Sequence, residues 1–137
     1  MKKDYHFVLP MKVRDYECDL QGIVNNSNYQ HYMEHTRHEF LESLGVSFAE
    51  LHQRGVDAVV ARITINFKTP LKSGDHFLSC LSIYKDGIKW IFNHDIYRTS
   101  DEKIACKGEV TSVTIVDGKL SVYEDLDHIL QEATAQK

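Results

Sequence analysis

The chain of 137 residues carries a formal net charge of −4, and its composition is 42% hydrophobic and 26% charged. These values predict one globular domain over residues 1–137, and the acidic balance argues against a nucleic-acid-binding surface. We expect no signal peptide, because the N-terminus has two lysines but no apolar run of the length that a signal peptide needs. We also expect no membrane span, because no apolar stretch reaches about 18 residues. Three cysteines without a C-x-x-C spacing favour reduced thiols and a cytoplasmic protein.

The first predicted elements are a strand and a long helix. Residues 7–14 predict a strand, in which Pro10 indicates an edge position or an irregular start. After a loop, apolar side chains recur at the offsets of one helix face: Tyr29, Tyr32, Met33, Phe40, Leu41 and Leu44. Polar residues occupy much of the other face: Gln30, Glu34, Arg37, His38 and Glu42. Ser27, followed by Gln30, has the pattern of a capping box and predicts the helix start.

Gly45 predicts the end of this helix, because glycine readily adopts the left-handed conformation that terminates helices. A shorter helix is expected over residues 47–53. The apolar period then changes from 3.6 to 2 over residues 58–68, which predicts a strand with one buried face. The apolar positions of that strand are Val59, Ala61, Ile63, Ile65 and Phe67.

Three more strands are predicted near residues 76–84, 89–99 and 103–116. They are separated by Asp-Gly and by Ser-Asp-Glu, both of which are typical of hairpin turns, and Gly108 indicates a bulge or a sharp bend. Residues 123–135 predict a weak helix with few apolar anchors. This order of elements predicts an α+β fold in which an antiparallel sheet covers one helix.

Asp19 opens the segment D-L-Q-G-I-V-N-N-S-N-Y and has two interpretations. An aspartate shortly before Gln-Gly is an ordinary turn former. Alternatively, the helix that follows offers free N–H groups and the positive end of its dipole, where an oxyanion can be held beside a carboxylate. Such a pair suffices to cleave a thioester, because a thiolate leaves with little help from a general acid. The carboxylate would act as nucleophile or as base toward water.

Residues 13–34, V-R-D-Y-E-C-D-L-Q-G-I-V-N-N-S-N-Y-Q-H-Y-M-E, resemble the signature of hotdog-fold acyl-CoA thioesterases. The pattern D-x-x-G-[IV]-V-x-x-x-N-Y is similar to that of the 4-hydroxybenzoyl-CoA thioesterase type, including its Tol-Pal-associated branch. Residues 62–75, R-I-T-I-N-F-K-T-P-L-K-S-G-D, resemble the strand and turn that follow the helices in that family. The resemblance implies the hotdog fold, a strongly curved antiparallel sheet wrapped around the long helix.

The resemblance implies a role for each matching residue. Asp19 takes the place of the catalytic carboxylate, and the N–H of Asn26 takes the place of the donor that polarises the thioester carbonyl. Four residues would line the acyl-binding side: Gly22, Ile23, Val24 and Asn25. Basic residues near the hairpin between the second and third sheet strands would hold the nucleotide end of coenzyme A, which points to Lys85 and Lys89.

Asn25 and Asn26 stand where many relatives carry Tyr-His or two aromatic residues, so we expect a more polar pocket than in aryl-selective members. In another thioesterase branch a helix glutamate is catalytic, whereas here Glu34 is better explained as a salt-bridge partner of Arg37 or His38. We expect no cofactor and no metal. The helix histidines are interpreted as surface or interface residues: His31, His35 and His38.

The resemblance implies hydrolysis of an acyl-CoA to a free acid and coenzyme A by a homodimer or homotetramer. The alternative is a non-catalytic module of the same fold that binds acyl-CoA or an acyl-carrier protein without releasing the thiol. The acyl group, the thiol carrier and the choice between nucleophile and base for Asp19 stay open.

Overall fold

The computed structural model describes residues 4–135. Its elements in chain order are β1 (Phe7–Lys12), a 3-10 turn (Asp15–Glu17), α1 (Asn26–Ser43), α2 (Phe48–Gln53), β2 (Val56–Phe67), β3 (His76–Asp86), β4 (Lys89–Arg98), β5 (Ile104–Val116), β6 (Lys119–Leu120) and α3 (Glu124–Ala135). The predicted succession of one strand, two helices, four strands and a last helix is confirmed, and the two-residue strand β6 is added before that helix. No helix in this range is long and apolar enough to cross a membrane.

The strands form one antiparallel sheet in the order β1-β3-β4-β5-β2, and β6 pairs with β5. Asp86 pairs with Lys89 across the β3–β4 turn, which confirms the predicted Asp-Gly hairpin. β1 and β2 are the two edges, so Pro10 lies on an edge strand as predicted. The sheet curls around α1, and this confirms the predicted α+β architecture.

The start of α1 differs from the prediction. Asn25, not Ser27, is the N-cap, because its Oδ1 accepts a hydrogen bond from the Ser27 N–H at 3.0 Å. An asparagine caps a helix as well as a serine does, and the Asn25 N–H is held by the Glu17 carbonyl at 3.0 Å. The capping box at Ser27 is therefore wrong, and the helix begins at Asn26.

Gly108 was expected to mark a bulge, but β5 pairs without interruption at this residue, with Ile65 on one side and His94 on the other. Its role is close packing: a Cβ at Gly108 would lie 2.6 Å from the Met33 Sδ. The missing side chain lets α1 approach the middle of the sheet.

The expectation of a buried face on β2 is wrong for the single chain, in which residues 59–64 are all exposed. Within residues 4–135, β2 is an edge strand with no neighbour beyond it. An irregularity between Val60 and Arg62 also shifts the alternation, so that Val60 pairs with Ser112 and Ile63 pairs with Val110. Several of its apolar side chains are left uncovered: Val59, Val60, Ile63 and Phe67.

Arg37 also departs from the prediction, which placed it on the polar face of the helix. The residue is only 9% exposed and lies four residues from both Met33 and Leu41, which are core residues. Helical spacing puts residues i and i+4 on one face, so Arg37 belongs to the buried row of α1.

Candidate active site

Asp19 and Asn26 are presented by one short hairpin that leads into α1. The Asp19 N–H donates to the Ile23 carbonyl at 2.9 Å, and the Gly22 N–H donates to the Asp19 carbonyl at 3.0 Å. Gly22 has a φ of +80°, a left-handed conformation that glycine adopts without a steric penalty. The turn therefore closes tightly and sets Asp19 opposite Ile23. Ile23 lies three residues before Asn26, where the helix begins.

The Asp19 side chain is exposed, and its Oδ1 accepts a hydrogen bond from the Gln21 N–H at 2.9 Å. This is the local bond of a turn-forming aspartate, so the turn interpretation holds for one carboxylate oxygen. Among the residues that the structure describes, none donates to the other oxygen. The turn thus fixes the orientation of the carboxylate while one oxygen remains available for chemistry.

Asn26 is the first residue of α1, and its N–H has no acceptor within residues 4–135. The neighbouring donors are taken: Ser27 N–H by the Asn25 side chain and Asn28 N–H by the Asn25 carbonyl. A free N–H at a helix start combines a hydrogen-bond donor with the positive end of the helix dipole. The backbone of Asn26 can accordingly stabilise a developing negative charge.

The other predicted acyl-side residues differ in their exposure. Val24 is 2% exposed and packs in the core beside Tyr29 and Leu71, whereas Gly22 and Asn25 are exposed and Ile23 is half-buried. The Asn25 amide oxygen is engaged in capping through two bonds to Ser27, at 3.0 and 2.8 Å. Their contact with an acyl group stays a prediction.

Glu17 organises this region and was missed in the sequence. Its carboxylate is 7% exposed and accepts hydrogen bonds from the Arg14 N–H at 2.8 Å, the Arg14 Nη1 at 2.9 Å and the Tyr32 hydroxyl at 2.8 Å. Its carbonyl also accepts from the Asn25 N–H and the Asn28 Nδ2. Burial and this partner raise the pKa of Tyr32. The only sequence signal was Tyr32, because a tyrosine on the buried helix face usually needs a partner for its hydroxyl.

The second segment that resembles the family, residues 62–75, contacts the residues that join the Asp19 turn to α1. The Val24 N–H donates to the Leu71 carbonyl at 2.8 Å, and Ile23 forms a bridge with Lys72. The Leu71 N–H in turn donates to the Tyr29 hydroxyl at 3.3 Å. The two sequence blocks therefore meet behind the hairpin.

Lys85 and Lys89 lie far from this hairpin in the same chain. The Lys85 ammonium pairs with Asp127 of α3 at 2.7 Å, and Lys89 is exposed at the start of β4. The hairpin is fixed to the chain just before β3, where the Val24 N–H donates to the Leu71 carbonyl and Ile23 forms a bridge with Lys72. Lys85 lies ten residues beyond Asp75 along an extended chain, which is about 30 Å. One chain does not bring the lysines and Asp19 together.

A cavity with a volume of about 320 Å³ lies between α1, the β2 edge and α3. Its walls are mainly apolar, and they include Leu41, Val60, Trp90, Phe92, Leu126 and Leu130. None of the site residues predicted from the sequence lines it. Arg37 does line it, although the sequence interpretation considered this residue only as a surface salt-bridge partner of Glu34.

Comparison with known proteins places the chain among thioesterase-like proteins. The family model of the thioesterase-like superfamily matches residues 13–129. An acyl-acyl carrier protein thioesterase of Arabidopsis thaliana chloroplasts is 39% identical over 101 residues, which are 73% of this chain and 53% of that protein. This chain therefore spans about half the length of that relative. A putative esterase of Aquifex aeolicus is 27% identical over 92% of this chain and 98% of that protein.

A solved structure supports the fold. The crystal structure of a 1,4-dihydroxy-2-naphthoyl-CoA thioesterase from Synechocystis superposes with a TM-score of 0.85, covering 94% of this chain and 95% of that one at 18% identity. At this identity the likeness concerns the fold alone. The predicted hotdog fold is confirmed.

Proposed function

The chain belongs to the thioesterase-like superfamily, and from this membership we propose that it hydrolyses an acyl thioester to a free acid and a thiol. The thiol carrier is coenzyme A or an acyl-carrier protein. The observation that carries the proposal is the free N–H of Asn26 on the same hairpin as the available oxygen of Asp19. The D-x-x-G-I-V-x-x-x-N-Y pattern supports the 4-hydroxybenzoyl-CoA thioesterase type, including its Tol-Pal-associated branch.

In the proposed reaction, the thioester carbonyl oxygen accepts the Asn26 N–H at the positive end of α1. That donor binds most strongly when the oxygen becomes an oxyanion, so it lowers the barrier rather than only binding the substrate. Asp19 attacks the carbonyl carbon to give an acyl anhydride, or it takes a proton from an attacking water. The thiolate then leaves without a strong general acid, because its conjugate acid has a pKa of about 8.5.

The acyl side of the site is formed, in this proposal, by the segment that joins the Asp19 turn to α1: Gly22, Ile23, Val24 and Asn25. Asn25 uses its amide to cap α1, so the position that is aromatic or histidine in many relatives contributes no ring here. The acyl group therefore meets a more polar and more open surface on this side. A single domain over residues 1–137 and a cytoplasmic location stay predictions.

We infer that the active unit is at least a homodimer. The β2 edge exposes Ile63, Val60 and Phe67, and an uncovered apolar edge strand is a template for pairing with a second strand. Because Lys85 and Lys89 are about 30 Å along the sheet from the Asp19 hairpin, they can bind a nucleotide only at the site of a second copy. Light scattering on the purified protein is expected to give two or four chain masses, and a monomer would refute the inference.

The test of the proposed activity is Asp19→Asn. The asparagine retains an oxygen for the Gln21 N–H, so the turn is preserved while the charge is lost. We expect kcat/KM for a panel of acyl-CoAs and acyl-carrier proteins to fall at least about 100-fold, the usual scale for removing a catalytic base or nucleophile. Asp125→Asn, an exposed aspartate on α3, should leave activity unchanged. Full activity in Asp19→Asn would end the assignment.

The same assay separates an enzyme from a binding module. A thiol-detecting reagent reports release in the first case, and saturable binding without release marks the second. The protein's own thiols interfere little, since Cys80 and Cys106 are fully buried and burial raises the pKa of both to about 12. A blank without substrate corrects for Cys18, which is partly exposed.

A further inference from the structure

Arg37 is a buried cation with little to balance it. It is 9% exposed, and its Nη1 lies 3.2 Å from the His94 Nε2. Among the residues that the structure describes, His94 is its single hydrogen-bond partner. The Glu34 carboxylate acts on it only through space, and the Glu34 side chain is 56% exposed. Most of the five N–H donors of the guanidinium are therefore unused.

His94 cannot supply the missing negative charge. A guanidinium only donates hydrogen bonds, so the His94 Nε2 must accept and the imidazole must carry its proton on Nδ1. Burial and the charge of Arg37 lower the pKa of His94 to about 3, which keeps the ring neutral. The His94 Nδ1 is itself buried without a partner in the described part of the chain. The pair thus holds one positive charge and no counter-charge.

Arg37, the residue that carries this unbalanced charge, lines the apolar cavity between α1, β2 and α3. Asp127 also lines the cavity, but its carboxylate already accepts hydrogen bonds from the Lys85 ammonium at 2.7 Å and the Trp90 Nε1 at 2.9 Å. Glu34 stands at the exposed rim. The cavity volume of about 320 Å³ is within the range of small-molecule sites. An apolar space with one unbalanced cation suits a ligand that has an apolar chain and an anionic end.

We propose that this cavity binds an aliphatic carboxylate, with its chain against the apolar walls and its carboxylate on Arg37. Guanidinium and carboxylate match in a planar, two-pronged geometry, and such charge-assisted bonds are strong where water is excluded. Binding here requires no chemistry at Asp19. The site is therefore testable whether or not the proposed hydrolysis is correct.

Two sources supply this chemistry. One is a free fatty acid, which is the product class of the proposed reaction. The other is an acyl group, still bound as a thioester, that carries a free carboxylate at the far end of its chain. Arg37 lies eleven residues after Asn26 along α1, which is about 16 Å of helix, so only an extended acyl group held at Asn26 would reach it.

The cavity contains its own probe, since Trp90 lines it and is the single tryptophan of the chain. Titration with decanoate, below its aggregation concentration, should change the fluorescence of Trp90 saturably. Decanol has the same chain without the charge and should bind at least about tenfold more weakly, because hydrogen bonds to charged groups contribute that much. In Arg37→Met the two ligands should bind equally. Lys119→Met, an exposed charge on β6, should retain the preference.

Decanol also serves as the folding control, because its binding to Arg37→Met shows an intact cavity. Arg37→Lys keeps the charge without the fork and should show an intermediate preference. Equal binding of decanoate and decanol to the wild type, or a preference that survives Arg37→Met, would overturn the proposal. Asp19→Asn should bind decanoate as the wild type does, which separates this site from the proposed catalysis.

Hydrolysis assays then distinguish the two sources. Acyl-CoAs with and without a terminal carboxylate, matched in chain length, are compared in the wild type and in Arg37→Met. A wild-type preference for the carboxylate form that disappears in the variant assigns the cavity to the far end of the acyl group. Decanoate binding without any such preference assigns it to a free acid.

Discussion

Two buried charges, Glu17 near the start of α1 and Arg37 towards its other end, differ in their hydrogen-bond partners. Below the first turn, the Glu17 carboxylate accepts three hydrogen bonds from Arg14 and Tyr32. Three turns on, the Arg37 guanidinium has one neutral partner, His94. The two residues are about equally buried, at 7% and 9% exposure. The two charges therefore differ in the number of their hydrogen-bond partners and not in the extent of their burial.

The contrast separates a structural charge from one that is held for a ligand. A buried carboxylate with its hydrogen bonds made rigidifies its surroundings, and Glu17 joins the Asp19 hairpin to the helix that presents Asn26. A buried cation without a counter-charge is costly to the fold unless something outside the chain neutralises it. Three measurements test whether this distinction holds.

A large loss of stability is expected for Glu17→Ala. The variant leaves the buried Tyr32 hydroxyl and the part-buried Arg14 N–H without their acceptor, so the free energy of unfolding should fall by about 2–3 kcal/mol. Urea unfolding measures it. Glu42→Ala, an exposed glutamate on the same helix, should change stability by less than about 0.5 kcal/mol. Equal effects of the two substitutions would mean that the Glu17 network has no structural role.

The second prediction concerns the pH dependence of the free energy of unfolding, through His94, the partner of Arg37. The pKa of His94 is about 3 in the fold and about 6.5 in the unfolded chain. Between these values the unfolded state binds the proton and the native state does not, so stability falls as pH decreases, by up to about 1.4 kcal/mol per pH unit. His94→Gln keeps an acceptor for Arg37 and removes this dependence. Urea unfolding at pH 7 and pH 4 should therefore show a smaller loss in the variant.

His76→Gln is the matched control, because this histidine is exposed and its replacement should leave the loss between pH 7 and pH 4 as it is in the wild type. An unchanged loss in His94→Gln would contradict the interpretation of His94 as a neutral, buried partner of Arg37.

The residues of the candidate active site near the start of α1 could be predicted from the sequence, and the Arg37–His94 pair beside the cavity could not. Asp19, Gly22 and Asn26 are close in the chain, so their pattern is local and their hairpin follows from it. Arg37 and His94 are 57 residues apart and meet only because β4 lies beneath α1. The spacing of Arg37 from Met33 and Leu41 is the signal that could have placed it in the buried row. The prediction put it on the polar face, because charged residues are rarely fully buried without a partner.

The capping box, the Gly108 bulge and the buried face of β2 failed for related reasons. Ser27 and Asn25 are both good caps, and the hydrogen bond from Asn25 to the distant Glu17 carbonyl decides between them. Gly108 is required by close packing against Met33, which lies on α1 and not on the same strand. Whether the apolar side chains of β2 are covered depends on what pairs with the edge, which no pattern within the strand contains.

The smallest expected effect, and the most specific, is that of Arg37→Met on stability without ligand. Methionine fills a similar apolar volume and removes an unbalanced buried charge, which is neutral or stabilising in other buried sites, while the His94 Nε2 loses its donor. These terms oppose each other, so unfolding should change by less than about 1 kcal/mol. Saturation with decanoate at about 100 times its dissociation constant should then stabilise the wild type by about 2.7 kcal/mol, and the same decanoate concentration should stabilise Arg37→Met far less. Decanoate should stabilise Glu17→Ala as much as the wild type, because it binds the native state of both, so the difference between these two proteins should persist at the same ligand concentration. A large loss in unliganded Arg37→Met would instead place Arg37, like Glu17, among the charges that hold the fold together.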